Sequence, residues 1–198
     1  MDFNTQKIAA ALLEKSLAVA DTETTGLCEH SEIIEFAAIS ETGETLVDTL
    51  LMPTRPVPKE ATKINGITDS QVINEGIDWC GLASQIETLR GRVIVYYNAV
   101  FDVRLLGQTQ SFQEFGCTAD FPDLDFMTLA SFDLMELANR HFHKDLNWKK
   151  SDSCFSRLSL KKCCELAGIE YPEDSHRALA DAQTTLKLLQ FIARDTER

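Results

Sequence analysis

Residues 18–27 read AVADTETTGL: an apolar run stops at Asp21, Glu23 follows two residues later, and two threonines, a glycine and a leucine complete the stretch. A short apolar run that ends abruptly in polar residues predicts a buried strand. Residues two apart on a strand leave the same face, so Asp21 and Glu23 project side by side. Two carboxylates that close raise each other's pKa, and a divalent cation removes the conflict. A solvated strand end also accounts for a D-x-E pair, so the pair carries chemistry only if other residues converge on it.

The neighbouring sequence supplies a framework for such convergence. Residues 3–16 predict a short leading helix, and residues 31–40 and 45–53 predict two further strands joined by the turn ETGE at 41–44. Pro53, Pro56 and Pro58 mark residues 54–68 as a loop that ends in a short helical turn. Ile77, Leu82, Ile86 and Leu89 recur at helical spacing within 70–91, and Gly91 is a helix stop. RVIVYYNA (92–99) is β-branched and aromatic, the clearest buried strand, and a helix follows over 100–112. Residues 123–131 predict a last strand or strand end, and 131–142 a helix. Residues 143–159 are polar and loop-like, and 160–169 and 175–193 are helical. Three strands first, then strands alternating with helices, predict an α/β domain. Its mixed sheet would be antiparallel at the start and parallel later.

Two more carboxylates stand at comparable places. Asp102 follows the clearest strand at the start of a helix, where it also reads as a first-turn capping residue. Asp181 lies in SHRALADAQTTLKLL, five residues after His176. Five residues separate two side chains on a helix by about 140°, so His176 and Asp181 converge only if His176 lies at or before the helix start. Pro172, Glu173, Asp174 and Ser175 favour a helix start there.

The ordered set, D-x-E on a first strand, Asp after a central strand and H-x4-D at a last helix, resembles the DEDDh branch of the 3′–5′ exonuclease superfamily. That group includes the proofreading epsilon subunit of bacterial DNA polymerase III. DTETTGL, KINGITDSQV, YNAVFDVRLL, and SLKKCCELAGI followed by SHRALADAQTTLKLL each resemble family blocks, over about residues 16–193. Asn65 stands where the family usually has histidine.

The resemblance implies a ribonuclease H-like mixed sheet flanked by helices, forming one exonuclease domain over residues 1–198. It implies two Mg2+ or Mn2+ ions, hard cations that suit oxygen ligands. Asp21, Glu23 and Asp181 would hold one ion, Asp21 would bridge to the second and Asp102 would support the second. His176 would be the general base. Thr24, Leu27, Glu60, Asn65, Asn98 and Phe101 would meet the terminal nucleotides. On the residues alone, Leu27 reads equally as packing and Phe101 reads as core.

The implied function is hydrolysis of phosphodiester bonds at 3′ ends of single-stranded nucleic acid, DNA favoured over RNA, releasing nucleoside 5′-monophosphates. The alternatives are an exoribonuclease or short-oligonucleotide hydrolase, and a nucleic-acid-binding or polymerase-associated scaffold with little turnover.

Charge adds a constraint. The 198 residues carry a net charge of −12, which argues against a broad basic grip on long nucleic acid. The charge is uneven: residues 140–162 hold seven Lys or Arg against Asp145 and Asp152, so that window is +5 and the remainder −17. Phe142, Trp148 and Phe155 interleave with those basic residues. Backbone attraction plus base stacking is how single strands are gripped, so Trp148, Lys149 and Lys150 are candidate strand contacts; a solvated loop is the other reading. His141 and His143 form an HxH without the further ligands a zinc site needs.

The six cysteines fit no usual zinc pattern. Cys163 and Cys164 share helical spacing with Leu160 and Ala167, so they read as core residues in a reducing compartment. The longest apolar run is far below the roughly 20 residues of a membrane helix. The acidic start lacks signal-peptide order. A cytoplasmic protein with no membrane partner is expected.

Overall fold

The computed structural model describes residues 4–113, 125–143, 157–172 and 176–195. Five strands form one sheet: β1 (Leu17–Thr24), β2 (Ile33–Ser40), β3 (Thr45–Leu50), β4 (Val93–Tyr96) and β5 (Ser131–Asp133), in the order β3-β2-β1-β4-β5. β1–β2 and β2–β3 are antiparallel, whereas β1–β4 and β4–β5 are parallel. This is the mixed sheet expected from three early strands, the second and third joined by the turn at 41–44, and later strands that alternate with helices.

The helices divide between the two faces of that sheet. Leu17, Val19, Ile39 and Val95 face α1 (Thr5–Leu13), α7 (Leu134–His141), α8 (Leu160–Ala167) and α9 (Ala178–Arg194), whose Leu12, Leu137, Cys163 and Leu189 join the same cluster. Ala18, Ala20, Phe36, Ala38 and Ile94 face the other way. They pack with Trp79, Leu82 and Ile86 of α4 (Trp79–Ile86) and Leu105 and Leu106 of α5 (Ala99–Gln113). The alternation fixes where β1's carboxylates go. Asp21 and Glu23 continue the Leu17–Val19 row, so they point toward α9, the helix that carries Asp181.

Every residue of β2 is buried, Glu35 among them. Glu35 pairs directly with Glu23, and the β1–β2 register shifts between Glu23 and Thr24. Such irregularities bend a strand and re-aim its side chains.

Three expectations change. The loop over 54–68 holds a full helix, α2 (Lys59–Asn65), closed by Gly66 at φ 72°. The single helix expected over 70–91 is two, α3 (Asp69–Glu75) and α4, with a 3-10 turn at Glu87–Leu89. Gly76 makes the break: a Cβ there would lie 2.3 Å from the Val72 carbonyl oxygen and 2.8 Å from backbone atoms of Leu51 and Met52. That close approach lets Ile77 N–H donate to Leu50 O and Met52 N–H to Ile77 O.

The expected strand over 123–131 is instead α6 (Asp125–Leu129), and β5 starts only at Ser131. Met127 buries in the α4–α5 cluster while Arg90 lies 4.6 Å over the Phe126 ring. Ser131, Phe132 and Asp133 pair with β4, and Ile94 N–H donates to Ala130 O at 3.0 Å.

Cys163 and Cys164 are fully buried and free, as their spacing predicts. Cys80 is disulfide-bonded, so the expectation of reduced thiols does not extend to it. Among the described residues no helix is long and apolar enough to cross a membrane.

Candidate active site

Asp21, His176 and Asp181 line one cleft of about 650 Å³. β1 delivers Asp21 and Glu23, and α9 delivers Asp181 from its first turn. His176 lies two residues before α9 begins, at φ 73°. The 140° obstacle is therefore removed as the sequence requires, because the histidine precedes the helix. Its backbone N–H donates to Asp181 Oδ2 at 3.3 Å.

Ligand-type atoms of Glu23, His176 and Asp181 all lie within 4.8 Å of one another. This close triple differs from the expected Asp21–Glu23–Asp181 set: His176 occupies a corner, and Asp21 joins through its charge.

Asp102 approaches from the other row of β1. It is buried in α5, and Thr22 Oγ1 donates to its Oδ1 at 2.8 Å. Thr22 lies between the two carboxylates in sequence but on the opposite face, so one short strand segment serves both sides of the cluster.

The electrostatics match a site assembled for cations. Burial pushes Asp21 well above the ordinary carboxylate range, and the charges of Asp102, Asp181, Glu23 and Glu35 push it further. Burial, then Asp181 and Glu35, raises Glu23 to about 8, while a hydrogen bond from Asn65 opposes the rise. Asp102 rises to about 7, chiefly through burial, with the Thr22 hydrogen bond opposing. Oxygen donors crowded to this degree, with one imidazole at the rim, fit Mg2+ or Mn2+ in kind.

These shifts carry a consequence for stability without metal. A raised carboxyl pKa means that the native state keeps a proton the unfolded chain releases, so stability falls as pH rises between the two values. For Glu23 and Asp102 that window runs from about 4 to about 8. In EDTA the melting temperature should fall between pH 5 and pH 8, by roughly 5 °C or more. Mn2+ added at pH 8 should recover most of the loss. A melting curve that is flat or rises across this window would contradict the cluster.

The other expected site residues divide by environment. Thr24 is buried, and its Oγ1 donates to Gly26 O at 2.8 Å, shaping the turn after the strand. Leu27 beyond it is 78% exposed, which removes the packing reading and leaves an apolar side chain free for contact. Glu60 is exposed in the first turn of α2. Asn65 is buried: its Nδ2 donates to Thr24 O at 3.4 Å and its Oδ1 accepts from Ile67 N–H at 3.0 Å. It thus braces the Glu23–Thr24 segment from beneath.

Asn98 lines the cleft at φ 81°, with its N–H donating to Asp133 Oδ1 at 3.3 Å. Phe101 is half-buried against the α4–α5 cluster, with Arg104 5.4 Å over its ring. Trp148, Lys149 and Lys150 lie outside the described residues. Of the basic window, Arg157 and Lys161 line the cleft, and the Lys161 ammonium sits 6.0 Å over the Tyr171 ring.

Sequence reasoning missed Thr22, Glu35 and Arg177. Arg177 grips the buried Glu35 carboxylate through both Nε and Nη2. A signal was present for Glu35, an acid inside the otherwise apolar run IIEFAAI. None was present for Thr22, because a threonine in a strand is ordinary.

Comparison with known proteins agrees with this geometry. The model of an exonuclease family, RNase_T, matches residues 18–189. An uncharacterised exonuclease of Escherichia phage 186 is 31% identical over 186 residues, covering 92% of this chain and 90% of that protein. The DNA polymerase III epsilon subunit of Treponema pallidum is 38% identical over 91 residues, covering 43% of this chain and 42% of that one. The zinc-bound form of Escherichia coli exonuclease I in complex with single-stranded DNA superposes with a TM-score of 0.71 at 19% identity, covering 93% of this chain and 41% of that one. This chain therefore spans most of the phage protein but less than half of the other two. The shared fold is ribonuclease H-like.

Proposed function

The chain belongs to the RNase_T exonuclease family, and on that premise we propose that residues 1–198 form one cytoplasmic exonuclease domain. It hydrolyses phosphodiester bonds at the 3′ ends of single-stranded DNA and releases nucleoside 5′-monophosphates. The observation that carries this reading is that Asp21, His176 and Asp181 line one cleft, with Glu23 within 4.8 Å of His176 and Asp181 and with Asp102 inside the same electrostatic cluster. Support for DNA comes from the TTGL and INGIT segments, which resemble the proofreading group, and from the names of the epsilon and exonuclease I relatives. A replication or repair polymerase is the kind of partner that such relatives suggest.

Asp21, Glu23 and Asp181 would hold the divalent ions, with Asp102 in support. Two Mg2+ or Mn2+ ions bound there would supply Lewis-acid stabilisation of the charge developing on the scissile phosphate and acidify the attacking water. The chain's own residues do the rest. His176, exposed at the rim and within 4.8 Å of both Glu23 and Asp181, accepts the proton of the attacking water. The turn at Thr24–Gly26 offers backbone to the terminal nucleotide, and Leu27 covers an apolar base face. Asn98 and Phe101 flank the Asp102 side, and Glu60 approaches the nucleotide from α2. Arg157 and Lys161, which line the cleft, attract the strand's phosphates, and Trp148, Lys149 and Lys150, outside the described residues, remain candidate strand contacts.

The test uses matched DNA and RNA oligonucleotides labelled at either end, with Mg2+, Mn2+ or EDTA. Mononucleotides should leave the 3′ end only, faster from DNA, and EDTA should stop the reaction. Faster release from RNA makes the enzyme an exoribonuclease. No release with either metal would make it a binding scaffold and overturn the proposal.

A further inference from the structure

Glu35 is 2% exposed on β2, directly across the strand pair from Glu23. A buried carboxylate beside other carboxylates persists only if strong donors satisfy it. Three do: Arg177 Nε lies 3.0 and 3.1 Å from its two oxygens, Arg177 Nη2 adds a further bond, and Ala178 N–H donates to Oε2 at 2.8 Å. Ala178 is the first residue of α9, so Glu35 is at once an ion-pair partner and the counter-charge at a helix N-terminus.

The grip ends one residue from His176. That histidine holds a left-handed φ of 73°, a conformation a non-glycine residue keeps only when its surroundings impose it. Asp181 binds the N–H of residue 176 from one side. On the other side, the side chain of residue 177 is tied to β2. The Arg177 side chain is 45% exposed, so burying it in a core is not its main role.

We propose that Glu35 and Arg177 are positioning residues that hold the 176–178 turn, so that the His176 imidazole faces the Glu23–Asp181 carboxylates. The inference rests on the reading of His176 as the general base. Guanidinium geometry matters because two nitrogens engage one carboxylate, which a lysine ammonium cannot reproduce.

The test is a double-mutant cycle on the intact chain, with single-stranded DNA and saturating Mn2+, read as kcat and KM, with melting temperature as a control. Arg177→Met should lower kcat by about 10–100-fold and change KM less than threefold, and Arg177→Lys should recover part of the loss. His176→Ala combined with Arg177→Met should be no slower than His176→Ala alone, because a positioning residue has nothing left to position. Losses that multiply would overturn the proposal and make Arg177 an independent contact to substrate or metal. A lowered melting temperature with unchanged kcat would overturn it too, leaving the pair purely structural. If Arg177→Met does not fold, the same cycle with Arg177→Lys decides. Full turnover in His176→Ala would instead refute the base reading, an outcome distinct from multiplying losses on an impaired His176→Ala.

Discussion

Asp21→Asn should lower turnover by about 10³-fold or more, a loss of about 4 kcal/mol of transition-state stabilisation, while the chain stays folded. Asp21 sits where the cluster's charges meet: Asp102, Asp181, Glu23 and Glu35 all act on it. The amide keeps the shape of the carboxylate, so the pairing of residue 21 with Ala37 in the sheet is undisturbed. What disappears is one negative charge and one anionic oxygen donor. Without metal that charge is a liability, because burial and the charges of Asp102, Asp181, Glu23 and Glu35 all oppose it. The variant should therefore melt a few degrees higher than the parent in EDTA at pH 8, and Mn2+ should stabilise it less than it stabilises the parent. Mononucleotide release and calorimetry check the two halves separately. Retained turnover would remove Asp21 from the chemistry, and a lower melting temperature in EDTA would mean that the carboxylate supports the fold instead.

His176→Ala should lower kcat by about 10²–10⁴-fold, the range for loss of a positioned acid–base group. The pH dependence of the rate should differ between parent and variant, because the group that accepts the water's proton is gone. Because His176 atoms lie within 4.8 Å of Glu23 and Asp181 oxygens, the imidazole is also within reach of a bound ion. The concentration of Mn2+ giving half-maximal activity separates the roles. An unchanged value with low kcat supports the base. A half-saturation point raised by the same factor as the rate loss would make His176 a ligand, and an unchanged pH profile would place the base elsewhere.

Neither variant should disturb the sheet, because neither substitution touches the apolar clusters that pack its two faces. Asp21 and Glu23 close β1, Asp102 opens α5, Asp181 sits in the first turn of α9 and His176 precedes it. Ends of elements are where side chains from different elements converge while the backbone stays fixed by packing behind them. The same placement made the site readable. Apolar runs that stop abruptly at an acid announce themselves, and Pro172, Glu173, Asp174 and Ser175 favour a helix start that lets His176 lie at or before it.

Sequence alone determined the period-two row Leu17, Val19, Asp21, Glu23, the tight turn that pairs β2 with β3, and the helical periods that bury Cys163 and Cys164. These follow from local rules, since pleat and helix repeat dictate which face each residue joins. The tertiary structure decided which faces meet. Nothing within eighty residues of Thr22 indicates that its hydroxyl will bond Asp102, and nothing near Glu35 indicates Arg177, 142 positions away. It also broke the helix at Gly76, where backbone from Leu51 and Met52 approaches too closely for any side chain, and made residues 125–129 helical. Each of these outcomes depends on a partner distant in the chain. Local propensity, worth a fraction of a kcal/mol per residue, yields to burial and to the pairing of buried charge, which are worth several times as much.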